Sequence, residues 1–112
     1  MPKRDPALLV GDIRFSLNQV AEYIRGMDLE FFLRDRKTID AVTRNLEIIG
    51  EAARQLTEAD RAAYPDIPWP RIVGLRHRIV HDYFGIDTEL IWEIASKDAP
   101  DLARLLEGHT GG

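Results

Sequence analysis

A chain of 112 residues accommodates one hydrophobic core, so residues 1–112 read as a single domain. Hydrophobic residues make up 45% of it, enough to fill that core, and the absence of cysteine excludes disulfides and thiolate zinc sites and permits a reducing cytoplasm. A net charge of −4 argues against a protein that coats nucleic acid non-specifically, so any nucleic-acid contact must be local. No apolar run reaches the ~20 residues of a membrane span, and no secretory h-region follows the basic start at Lys3 and Arg4.

Pro6 can open a first helix with Asp5 as its N-cap. Leu9, Ile13, Leu17, Val20, Ile24 and Met27 then recur at steps of three and four, one apolar stripe that ends at Arg25-Gly26 or frays there. Asp28 is placed to cap a short turn over residues 29–33, with Met27 and Phe32 as a hydrophobic staple. The charged run at residues 34–37 bends or interrupts the chain. The clearest periodicity follows: Ile39, Val42, Leu46, Ile49, Ala53 and Leu56 form a narrow seam suited to helix–helix packing. Gly50 interrupts it at a cost of ~1 kcal/mol relative to alanine, which a closely approaching neighbour helix would explain.

Thr57 begins a short helical piece that stops at Tyr64-Pro65, and residues 66–70, with two further prolines, make a rigid connection. Pro70 suits the first turn of a helix over residues 71–80. Past Gly85, Asp87 caps another helix, with Ile86 and Ile91 as its staple and Leu90, Ile91, Ile94 and Ala95 facing inward. Asp98 and Pro100 mark a break before a final short helix lined by Leu102, Leu105 and Leu106. Residues 108–112 read as a frayed tail. With no strand-period run, the pattern predicts an all-α, four- to five-helix, up-and-down bundle.

The chemistry concentrates in R-H-R-I-V-H-D-Y at residues 76–83. On a helix at ~100° per residue, Ile72, Leu75, Ile79 and Tyr83 fall on one side of Arg76 and Val73 and Val80 on the other. Arg76 thus occupies the middle of an apolar arc and needs an acceptor or a wet cleft, because it cannot lose its proton. His81 lies ~140° round from it, so the two converge only if the helix loosens near His81 or a second subunit brings its own copy. Arg71, Arg76, His77, Arg78 and His81 also form an acid-free basic cluster.

Several readings of these residues compete. Arg76 can be a structural ion-pair residue held by Glu51 or Glu47, and His81 a helix cap. His77 and His81 stand at i,i+4 as in H-E-x-x-H zinc sites, but Arg78 takes the place of the general-base glutamate, which argues against a metal. Ser16 and Ser96 lie in no nucleophile turn, and no phosphate-binding glycine loop is present. Acid–base cleavage of RNA remains. The 2′-hydroxyl is then the nucleophile, histidine serves as base and acid, and arginine binds the phosphate oxygens. One chain offers one such histidine and one arginine. A two-fold dimer offers two of each in one cleft.

Arg76-x4-His81-x-Tyr83, with polar His77 directly after the arginine, resembles the R-x4-H-x-Y signature of the HepT-like branch of the HEPN superfamily (higher eukaryote and prokaryote nucleotide-binding domains). The Gly50-Glu51-Ala52 run, Pro68-Trp69, and Ile86-Asp87 leading to Trp92 are similar to the same branch. The resemblance implies a HEPN-type bundle and a cytoplasmic, homodimeric, metal-independent endoribonuclease without cofactor. It implies the toxin of a type VII-like pair, whose cognate antitoxin is a minimal nucleotidyltransferase. It makes Arg76 and His81 catalytic and Tyr83 the acceptor of AMP. Phosphate there would add negative charge and bulk to the cleft that receives RNA. His77 and Arg78 stand as supporting substrate-binding residues, and Glu51 as a residue that orients Arg76 or caps a nearby amide. The rival is a non-catalytic HEPN module that binds a nucleotide or a nucleotidyltransferase through the same residues.

Overall fold

A computed structural model describes residues 5–81 and 85–108, the side chain of His81 excepted. Helix α1 (Pro6–Tyr23) starts where proline at the first turn and the Asp5 carboxylate, accepting from the Ala7 amide at 2.8 Å, both favour it. It ends before Gly26, whose φ of 76° is open to glycine and strained for other residues. Helix α2 (Leu29–Arg34) is capped by Asp28, which accepts from the Phe31 amide. Asp35 then ends α2 and caps the amide of Thr38 in α3 (Arg36–Gln55), so the charged run interrupts the helix as expected. Helix α4 (Glu58–Ala62) carries a capping box between Thr57 and Asp60.

Helix α3 is the element around which the others pack. Every member of its seam, Ile39, Val42, Leu46, Ile49, Ala53 and Leu56, is buried. Helix α1 lies antiparallel to it, with Pro6 and Val10 beside Leu56, and contributes buried Leu9, Ile13, Leu17 and Val20. Arg61 donates to the Ala53 carbonyl at 3.0 Å, joining the Leu56 amide on that acceptor at the C-terminus of α3. Trp69 fixes the next connection by donating from its indole to the Arg61 and Tyr64 carbonyls.

The chain after Trp69 departs from the expected single helix. It forms α5 (Trp69–Val73) and α6 (Leu75–Ile79), separated at Gly74. A Cβ on Gly74 would stand 3.3 Å from the Pro70 carbonyl oxygen, tight enough to favour glycine at the break. Helix α5 passes close to Gly50 of α3: the Ile72 carbonyl would lie 3.4 Å from a Cβ there, the close neighbour that Gly50 implied. After Ile79 the backbone becomes extended. A two-residue strand, β1 (Val80–His81), pairs antiparallel with β2 (Gly85–Ile86), Val80 opposite Ile86 and His81 opposite Gly85. This short ladder was not legible as a strand pattern.

Helix α7 (Thr88–Glu93) is capped by Asp87, which accepts from the Leu90 amide. The break expected at Asp98 and Pro100 is instead a wide π-turn over Ile94–Asp98, after which α8 (Ala99–Glu107) continues with helical backbone angles. The Ala99 amide reaches back five residues to the Ile94 carbonyl. Proline has no amide hydrogen, and its ring crowds the carbonyl four residues earlier. A wide turn accommodates both without ending the helix. Gly108 closes α8, and residues 109–112 lie outside the described residues.

The result is an all-α bundle with four main helical passes, α1, α3, α5–α6 and α7–α8, and two short helices. Its buried side chains form one hydrophobic cluster. No helix among the described residues is long and apolar enough to cross a membrane.

Candidate functional site

An open cleft of about 370 Å³ runs between α1, α3 and α6, a volume typical of small-ligand sites. Helix α1 presents Asp12, α3 presents Arg44, Glu47 and Glu51, and α6 presents Arg76. The α3 residues reach one wall because they recur at three and four residues beside the buried seam.

Arg76 is exposed into this cleft, whereas its neighbours Leu75 and Ile79 are buried. The apolar arc inferred for a continuous helix is therefore not continuous. Gly74 resets it on one side, and on the other Val80 has left the helix and is exposed. Of the two environments open to Arg76, the structure provides the wet cleft. Among the described residues Arg76 makes no hydrogen bond or ion pair, and it lines the cleft.

Glu51 is held mainly by another partner. Arg54 donates to both of its oxygens, at 2.7 and 3.2 Å. That hydrogen bonding holds the Glu51 carboxyl below its usual value; slight burial opposes the shift, and the charges of Arg54 and then Arg76 add to it. The carboxyl ionises more readily folded than unfolded. Its contribution to stability is therefore present above the ordinary carboxylate range and lost as pH falls through the folded value. Glu51→Gln is expected to lower Tm slightly at pH 7 and not at about pH 2, the loss being small because the pair is exposed. Thermal melts at the two pH values check this, and equal losses would contradict it.

The basic cluster of the sequence is not one patch in space. Arg76 faces the cleft, and His77 is exposed beside it without lining it. Arg71 and Arg78 turn to Asp98, at 3.4 and 3.3 Å. Sequence reasoning missed Asp98 in this role and missed Arg44 and Asp12 as cleft residues. The spacing of Arg44, Glu47 and Glu51 on one helical face was the signal available for the cleft wall.

The helix carrying Arg76 ends at Ile79, so the backbone does loosen before His81, as convergence with Arg76 requires. The His81 side chain and the whole of Tyr83 lie outside the described residues, as does His109. Among the described residues no cluster of three or more His, Asp or Glu side chains is arranged to hold a metal ion.

The chain is an all-α bundle with an arginine-bearing cleft, and comparison with known proteins gives its family. Residues 13–108 match the family model described as "Ribonuclease HepT-like", and the chain belongs to that family. It is 40% identical over 107 residues to "Putative RNase MJ1380" of Methanocaldococcus jannaschii, covering 96% of this chain and 98% of the other. It is 37% identical to "Putative RNase MJ0127" of the same organism, covering 96% of this chain and 88% of that one. It is 36% identical to "Probable ribonuclease HepT" of Thermococcus cleftensis, covering 89% and 91%. No solved structure matches it at a significant level.

Proposed function

We propose that this chain is a metal-independent endoribonuclease that acts as a homodimer, with Arg76 and His81 of both copies in one shared cleft. The observation that carries the reading is Arg76 itself, a guanidinium that stands in an open cleft with no hydrogen-bond or ion-pair partner among the described residues. Family membership supplies the substrate class.

In the proposed reaction one His81 imidazole takes the proton of the ribose 2′-hydroxyl. The freed oxygen attacks phosphorus, and the bond from phosphorus to the 5′-oxygen breaks. The second His81, as imidazolium, returns a proton to that leaving oxygen. The products are a 2′,3′-cyclic phosphate and a 5′-hydroxyl. Arg76 holds the non-bridging oxygens, on which negative charge grows as phosphorus becomes five-coordinate.

Bidentate pairing with Arg54 offsets the negative charge of Glu51 on the cleft wall. His77, exposed beside Arg76, is placed to meet the RNA backbone. Arg78 contributes through its bond to Asp98 more than through direct contact. In the same reading the chain is the toxin of a type VII-like pair in the cytoplasm. A minimal nucleotidyltransferase would silence it by moving AMP onto the Tyr83 hydroxyl, releasing pyrophosphate if the donor is ATP.

The test is incubation of the purified protein with RNA in EDTA. Cleavage that leaves 2′,3′-cyclic phosphate ends is expected. Intact RNA together with tight nucleotide binding would favour the non-catalytic module instead.

A further inference from the structure

Helix α6, which carries Arg76, is five residues long and is joined to α5 through the Gly74 break. It is too short to hold its own orientation. Leu75 and Ile79 seat it in the core, but two apolar contacts on one face leave rotation about the axis weakly defined. Arg78 lies roughly 200° from Arg76 on an ideal helix, on the side away from the cleft. There it donates to Asp98 Oδ2 at 3.3 Å. Arg71, on α5 and so across the break, donates to the same oxygen at 3.4 Å. One carboxylate on the π-turn thus binds both halves of the broken helix to the C-terminal pass. A rotation of α6 by about 20° would carry a guanidinium at its rim about 2 Å, and a misplacement of about 1 Å can cost on the order of 100-fold in rate.

We propose that Asp98 is a positioning residue: through Arg78 and Arg71 it fixes the rotation of α6, and with it the place of Arg76 in the cleft. This rests on the reading of Arg76 as the phosphate-binding cation. The π-turn carries the carboxylate that meets an arginine from each side of the Gly74 break. All three side chains are partly exposed, so the ion pairs add little to global stability. Orientation is the property they control.

The experiment compares Asp98→Asn, Asp98→Glu and the unaltered full-length protein by steady-state RNA cleavage, thermal melting and NMR of the Arg76 side chain. Arg76 acts on the growing phosphorane charge, so Asp98→Asn is expected to lower kcat about tenfold with KM within about twofold. Asp98→Glu should recover a large part of that loss, and both variants should melt near the unaltered protein. The Arg76 Nε signal should shift in Asp98→Asn and return toward its unaltered position in Asp98→Glu. An unchanged kcat overturns the proposal, and so does a loss that Asp98→Glu does not relieve. If Asp98→Asn unfolds, Arg78→Gln replaces it, with the same expected kcat loss and the same overturning result. If the unaltered protein cuts no RNA, the functional reading fails separately. The Arg76 signal then decides: a shift that Asp98→Glu reverses supports positioning by Asp98, and an unmoved signal overturns it.

Discussion

Arg76→Ala is expected to reduce RNA cleavage by at least about 100-fold, the usual cost of removing a donor aimed at developing negative charge. The bundle should remain folded. Arg76 is exposed and makes no ion pair among the described residues, so its removal leaves no buried carboxylate unpaired, and Tm should stay within a few degrees. Arg76→Lys should recover only part of the rate, because an ammonium keeps the charge and lacks the planar fork that grips two phosphate oxygens. Single-turnover cleavage and thermal melts check both variants. A collapse of Tm in Arg76→Ala would make Arg76 a structural residue, and undiminished cleavage would remove it from the chemistry.

The largest effect on stability is expected at Phe32. It is fully buried, it is the one buried residue of α2, and its ring centroid lies 5.2 Å from that of Trp92 on α7. Phe32→Ala leaves a cavity and releases α2 from the bundle, at a cost of about 3–5 kcal/mol. For a chain of this size that lowers Tm by more than about 10 °C. Phe32→Leu, which keeps much of the volume, should lose under half as much. Urea unfolding of the two variants checks the order. Because α7 continues through the π-turn that carries Asp98, activity in Phe32→Ala should be measured well below its lowered Tm. A Phe32→Ala protein as stable as the parent would contradict the packing described here.

What the sequence made legible was local chemistry. Asp5, Asp28 and Asp87 all cap the helices they were expected to cap. A cap needs only a side chain and an amide two or three residues away, so spacing suffices to find it. The α3 seam was legible for a related reason: one long helix with one buried face repeats its signal over five turns. The misses share the opposite character. Whether Gly74 breaks a helix, and whether Pro100 ends one or widens it, is decided by packing between distant segments. Proline and glycine mark such places without saying which outcome follows. Arg76 was placed in an apolar arc because Val80 was counted as helical, and the structure puts Val80 on a strand. The basic cluster at residues 71–81 looked like one patch because sequence proximity carries no direction. Asp98, 20 and 27 residues from the arginines it binds, had no sequence signal at all.

The central claim is that two copies must pool their side chains to cut RNA, and it is tested most directly by dilution within the dimer. Unaltered chains are refolded together with increasing proportions of a chain carrying both Arg76→Ala and His81→Ala, at fixed total concentration, and initial cleavage rates are measured. A cleft that needs both copies gives activity falling as the square of the unaltered fraction, to about one quarter at an equal mixture. A fall in direct proportion, to about one half, would mean that each chain works alone and would contradict the shared cleft.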